Sequence, residues 1–242
     1  MIHKTAIINK NSKISEDVEI GPYCIVGPEV EIGKNTVLHS HVNLVGNTKI
    51  GKNNEIFPFA SIGTPPQDLK YKGEKNSLVI GDNNKFREYV NINPGTKNGG
   101  EVTKIGNNNL LMVYCHVAHD CNLSNNIVLA NNVQVGGHVT IDDNAIVGGS
   151  CAIHQFSRIG ESAMIGGMTG VLSDVIPYGL SIGNRNSLVG LNLIGLRRAK
   201  ISNENIKIMQ HAYDIIFKSE NFRSNIDNLS SEIKNNEFVT KI

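Results

Sequence analysis

Four of the eight histidines in this chain of 242 residues fall between positions 116 and 154: His116, His119, His138 and His154. They stand in His116-Val-Ala-His119-Asp120-Cys121, Gly136-Gly137-His138 and His154-Gln155-Phe156. Imidazole is the side chain that changes charge near neutrality, so a gathered set has two chemical uses. Three of them can hold a catalytic zinc with one position open. Alternatively, one acts as a general base. Nothing points to a covalent nucleophile: no GxSxG elbow is present, and Cys121 lies two residues from His119, too far for a direct hydrogen bond along an extended strand. A direct-attack mechanism fits better, with His119 as the base and the Gly137 amide free to face a developing oxyanion. Asp120 would orient the imidazole only if a corner or bulge intervenes, because adjacent strand residues face opposite ways.

These residues are distant in the chain, and a repeat must bring them together. Aliphatic residues recur at every sixth position: Ile8, Ile14, Ile20, Val26, Ile32, Leu38, Leu44, Ile50, Ile56 and Ile62. A second run, shifted by one, continues from Ile105 through Leu111, Val117, Leu123, Leu129, Val135, Ile141, Val147, Ile153, Ile159 and Ile165 to Val171. Neither the 3.6-residue helix nor the two-residue strand has a period of six. A parallel β-helix does: three six-residue sides make an 18-residue coil, with each aliphatic residue stacked inward on the one 18 positions away. Asn and Asp gather after these positions, as in Asn53-Asn54, Asn107-Asn108-Asn109 and Asp142-Asp143-Asn144, and both tolerate the left-handed backbone of a corner. Counted in eighteens, Gly137 lies over His119, Gln155 lies over Gly137, and four imidazoles converge on one edge within two coil spacings, roughly 10 Å.

Two segments interrupt the period, 64–79 with Pro65-Pro66 and, more weakly, 93–104; the first carries Gln67, Asp68, Lys70 and Tyr71. A long excursion from a compact solenoid is commonly functional. From Ser202, an expected N-cap, Ile206, Met209, Tyr213, Ile216 and Phe217 share a helical face, and Phe222, Ile226, Leu229 and Ile233 suggest one further short helix. The expected organisation is a β-helix over 1–187 with its excursion at 64–79, then a helical region over 188–242 that caps the last coil.

Composition narrows the function. Twenty-three Lys+Arg against 22 Asp+Glu leave +1, which gives no electrostatic basis for wholesale nucleic-acid or membrane-surface binding. No apolar run reaches a membrane span, and the N-terminus has no secretory hydrophobic stretch, so a soluble cytoplasmic protein is expected. Cys24, Cys115, Cys121 and Cys151 show no CxxC pairing and read as reduced thiols.

The hexad run together with Gln67-Asp-Leu-Lys-Tyr71, His116-Val-Ala-His119-Asp120-Cys121, Gly136-Gly-His138, His154-Gln155-Phe156 and Gly195-Leu-Arg-Arg198 resembles the acyl-(acyl-carrier-protein)–UDP-N-acetylglucosamine O-acyltransferases across essentially the whole chain. The resemblance implies a left-handed parallel β-helix, a homotrimer with active sites between neighbouring β-helices, no cofactor and no metal. It implies transfer of an R-3-hydroxyacyl group from acyl carrier protein to the 3-hydroxyl of UDP-N-acetylglucosamine, the first step of lipid A biosynthesis. By matching position, His119 is then the catalytic base, Asp120 its orienter and Gly137 the oxyanion amide. Asp68, Lys70, His116, His138, His154 and Gln155 match substrate-binding residues, and Asn192 and Arg198 match nucleotide contacts. Gly167 matches the residue that leaves room for the acyl chain, with Met168 and Arg185 nearby bearing on its length. Lys70, Lys72, Arg197, Arg198 and Lys200 are placed to meet an acidic carrier protein.

This chain departs from the pattern in two places. Asn93-Pro-Gly-Thr96 stands where many members read His-Arg-Gly-Thr, so no histidine role carries over to Asn93. Ile194 stands where some have an acidic residue near the nucleotide. Four alternatives stay open: the same reaction on a 3-amino sugar analogue, the later N-acyltransferase of the pathway, a zinc hydratase like γ-type carbonic anhydrase, and a purely structural β-helix whose histidines merely stack. The N-acyltransferase carries an added N-terminal uridine-binding domain, whereas hexads here begin by Ile8.

Overall fold

The computed structural model, which describes every residue except 218 and 220, folds the hexads into a triangular prism. Among the described residues three sheets form its sides, of nine, eight and ten strands; the strands are parallel and each sheet takes every third strand of the chain, except at the C-terminal end of the ten-stranded sheet. Most strands are two residues long, one facing out and one in. In the first sheet Ile7–Ile8, Ile25–Val26 and Asn43–Leu44 stack at 18-residue offsets, and His116–Val117 stacks on Gln134–Val135 in the same way. The inward residues form continuous buried columns, with Leu44, Ile56, Ile62, Leu111, Val117, Leu129 and Val135 all at 0% exposure. Each such side chain contributes about 1.5–3 kcal/mol on leaving water, while the strand edges satisfy their amides in the neighbouring coil.

The columns do not break at the interruptions; they slip. Ile80 stacks on Ile50 at an offset of 30, Ile105 stacks on Ile80 at an offset of 25, and Phe86 and Ile92 fill the inward positions between. Both excursions leave from the corner between the first and second sheets, and both are shorter than the sequence suggests. Strand Ser77–Ile80 takes back 77–79 from the first, and strand Val102–Ile105 takes back 102–104 from the second.

Corners turn through residues with positive φ. Asn35, Asn53, Asn83, Asn108, Asn126 and Asn144 occupy the corner between the second and third sheets, as the asparagine pattern anticipates. The corner between the third and first sheets instead uses Tyr23, His41, Phe59, Tyr89 and Tyr114, all with φ near +60°. Their rings stack 4.7–5.1 Å apart into a ladder, and this contact between coils offsets the strain of a bulky left-handed residue.

Beyond the last parallel strand the chain reverses: Ser187–Leu191 pairs antiparallel with Gly179–Ile182. Helices α1 (Leu193–Arg198) and α2 (Asn203–Ile216) follow, the latter capped by Ser202 as expected, its side chain accepting from the Asn205 N–H. The single further helix expected through Ile233 is two, α3 (Phe222–Asp227) and α4 (Ser231–Lys234). The Ser230 side chain accepts from the Ile233 N–H and so starts a new helix where the apolar spacing alone reads as continuous. Met209, Ala212, Ile206 and Leu196 pack with Tyr178 and Leu191 into a second core at this end of the prism.

Candidate active site

The corner that releases both excursions also carries His119, His138 and His154. His119 and Asp120 sit on its turn, and Asp120 has φ 60°. That left-handed residue is the corner the sequence argument required: it swings the carboxylate back to the same side as the preceding imidazole. His119 Nδ1 and Asp120 Oδ2 are 2.8 Å apart, with the His119 side chain 16% exposed and that of Asp120 fully buried. An Nδ1–H donated to the carboxylate leaves Nε2 as the basic nitrogen.

Gly137 lies over this ring in the next coil, and the His138 N–H donates to the His119 carbonyl. A Cβ on Gly137 would come within 2.7 Å of His119 Cε1 and 2.9 Å of Nε2, so only glycine lets the backbone approach this imidazole this closely. Among the described residues no protein acceptor takes the Gly137 N–H. A proton acceptor and a free amide donor therefore share one small space. The carbonyl of that same peptide unit, at Gly136, accepts from the Cys121 thiol at 3.1 Å. Burial pushes the Cys121 pKa up to about 12 and that of Cys115 to about 11, so both are protonated donors at neutral pH rather than nucleophiles.

The other imidazoles frame His119. His138 stacks on Phe156 at 4.4 Å and meets the His119 ring edge-on at 5.0 Å. His116, mostly buried, has Nδ1 2.8 Å from Asn91 Oδ1, and burial lowers its pKa despite that partner. Asn91 reaches on to Thr64 at the root of the first excursion. His154 is exposed, 3.1 Å from the Gln155 carbonyl, and Gln155 is exposed as well. Within the first excursion Asp68 accepts from the Lys70 N–H at 2.9 Å, a tight turn that leaves Leu69 98% exposed and the Lys70 side chain outward. Asn93, where the motif departs, is buried and donates to the Thr64 and Pro65 carbonyls, tying the roots of the two excursions together.

His119, Asp120 and His138 place ligand atoms within 4.8 Å of one another. This is two imidazoles and a carboxylate, not the three-imidazole set considered from the sequence, and its carboxylate oxygens already accept from Thr96 and face His119.

Several expected residues do not join this corner within one chain. Asn192 and Arg198 line a separate crevice of about 770 Å³ with Ile146, Met164 and Leu191, against the third sheet. Asn192 caps α1, accepting from Gly195 N–H and donating to the Ser162 carbonyl. Gly167 and the 80%-exposed Met168 sit at the corner of the aromatic ladder, and Arg185 is exposed in the last hairpin. Thr96 was missed from the sequence, because nothing in Asn93-Pro-Gly-Thr96 marks a partner 24 residues ahead.

Residues 174–242 match the family model described as Udp N-acetylglucosamine O-acyltransferase, Domain 2, and residues 1–34 match that of bacterial transferase hexapeptide repeats. A curated acyl-(acyl-carrier-protein)–UDP-N-acetylglucosamine O-acyltransferase from Aliarcobacter butzleri (strain RM4018) is 52% identical over 217 residues, 90% of this chain and 84% of that protein. Among solved structures, the UDP-N-acetylglucosamine O-acyltransferase of Moraxella catarrhalis RH4 is 44% identical at a TM-score of 0.94, covering 99% of this chain and 95% of that one. The UDP-N-acetylglucosamine acyltransferase of Francisella novicida is 39% identical at a TM-score of 0.94, over 99% of this chain and 88% of that one.

Proposed function

The chain belongs to the acyl-(acyl-carrier-protein)–UDP-N-acetylglucosamine O-acyltransferases, and on that premise we propose how its left-handed β-helix performs their reaction. The enzyme moves an R-3-hydroxyacyl group from acyl carrier protein to the 3-hydroxyl of UDP-N-acetylglucosamine, opening lipid A biosynthesis. His119 Nε2 removes the hydroxyl proton as the sugar oxygen attacks the thioester carbonyl. The C–O bond forms, the oxyanion accepts from the Gly137 N–H, and collapse breaks the C–S bond, the carrier thiolate taking the proton back from His119. Asp120 holds the tautomer and supports the transient imidazolium. The observation that carries this reading is the 2.8 Å His119–Asp120 contact with the Gly137 backbone against the Nε2 side of the ring.

Asp68, Lys70, His116, His138, His154 and Gln155 bind substrate in this reading. Asn192 and Arg198 stand on a different side of the prism from His119, which supports a homotrimer whose neighbouring protomer brings them to the nucleotide. The solenoid of 1–187 then carries the chemistry and 188–242 the distal contacts, with Gly167, Met168 and Arg185 bounding the acyl chain. Among the described residues no helix is long and apolar enough to cross a membrane, and cytoplasmic work on a carrier-bound acyl group is consistent with that.

The test is an acyl-transfer assay of wild type and His119→Ala with UDP-N-acetylglucosamine, its 3-amino analogue and a ladder of 3-hydroxyacyl carriers, alongside the mass in solution. Transfer to the hydroxyl sugar, abolished in a trimeric His119→Ala, is expected. Equal turnover in the two proteins removes His119 from the chemistry, and a zinc requirement restores the hydratase alternative.

A further inference from the structure

The Asp120 carboxylate is fully buried beside His119 at 2.8 Å, and a desolvated carboxylate needs more partners than one imidazole. The second excursion supplies them. Thr96 is 3% exposed, and it donates to the carboxylate twice: the backbone N–H to Oδ1 at 2.8 Å and the hydroxyl to Oδ2 at 2.6 Å. Oδ2 is the same oxygen that His119 Nδ1 approaches.

Thr96 precedes the 3₁₀ turn Lys97–Gly99, where a threonine ordinarily accepts a hydrogen bond from the following backbone. Its side chain makes no such cap and reaches instead to a residue 24 positions ahead. The rest of the excursion is built around this contact. A Cβ at Gly99 would collide with the Asp120 carboxylate, and the Asp120 N–H donates to Thr103 Oγ1 at 2.8 Å.

We propose that Thr96 is a positioning residue for acyl transfer: its two donors fix the Asp120 carboxylate so that Oδ2 faces His119 Nδ1 and holds the ring with Nε2 toward the Gly137 backbone. This rests on the acyltransferase reading above and extends it to the excursion of residues 93–101. The titratable groups facing Asp120 are His119 and, 4.0 Å away, His138. Within the excursions, Lys97 and Glu74 lie beyond Thr96, where the Lys97 N–H meets the Glu74 carboxylate.

The test compares Thr96→Val, which keeps shape and loses the hydroxyl, with Thr96→Ala and Thr96→Ser. Loss of a charge-assisted donor predicts kcat down about 10- to 100-fold in Val and Ala. KM for the sugar nucleotide stays within about twofold, because Thr96 is only 3% exposed. Ser recovers most of kcat, and Thr96→Val adds little to Asp120→Asn, because the two act through one contact. The proposal is overturned if Val and Ala keep kcat within about twofold, or if Ser fails as badly as Val. His119→Ala in the same series separates the two claims: if it matches wild type, the acyltransferase assignment of the base fails; if it is dead while Thr96→Val is normal, only this inference does.

Discussion

Two corners of one prism share a backbone turn and part in what their polar atoms do. Along the asparagine corner the buried side chains are closed on the coil beside them. Asn84, fully buried, donates to Asn54 Oδ1 and the Gly106 carbonyl and accepts from the Asn109 N–H, while Asn107, Asn125 and Asp143 repeat the pattern at 18-residue steps. At the reactive corner the repeat leaves the Gly137 amide and His119 Nε2 unspent, and insertions rather than a new backbone shape supply the partners of Asp120. Stability comes from closing each donor on an acceptor; reactivity comes from holding a few open with neighbours that are themselves closed.

Substitutions can break this contrast. The largest effect is expected for His119→Ala, a loss of about 10²–10⁴-fold in kcat with sugar-nucleotide affinity retained, read by acyl transfer and calorimetry. Asn84→Ala should do the reverse: it strands the Gly106 carbonyl and the Asn109 N–H, costing roughly 2–4 kcal/mol in urea unfolding with kcat unchanged in the folded enzyme. A loss of turnover there would end the division of labour between corners.

The cysteines give a finer comparison. Cys121 and Cys151 each donate to a carbonyl 15 residues ahead, at 3.1 and 3.0 Å, but only the Cys121 acceptor shares a peptide unit with the Gly137 amide. Polarising that carbonyl strengthens the N–H behind it, so Cys121→Ala should lower kcat about fivefold, an effect of ~1 kcal/mol, and Cys151→Ala should leave it within about twofold. The smallest effect concerns pH. His116 has its pKa lowered by burial, so the unfolded chain binds its proton first. Its stabilising contribution is full above 6.5 and falls as pH drops through the unfolded value toward the lower folded one. His116→Asn should therefore flatten the decline of unfolding free energy between about pH 7 and 5.

Counting by sixes makes the coil, its inward columns and the His119–Gly137 stack legible before any coordinates, because a repeat turns sequence distance into spatial distance at a fixed rate. It does not reveal that both excursions leave from the reactive corner, since an insertion changes the phase without saying which way the chain goes. It is also silent on the aromatic ladder, where rings tolerate a left-handed turn only because the next coil stacks on them. The break between α3 and α4 escapes a count of apolar spacing, which does not register a capping serine.

The amino-acid sequence by itself determined the prism, the column in which the base lies and the glycine above it, all consequences of a local period. Only the tertiary structure decided that Asp120 turns back onto His119, that Thr96 grips its far side, and that Asn192 is committed to capping α1. Those depend on φ at one corner and on the path of an irregular loop, which no short-range preference specifies.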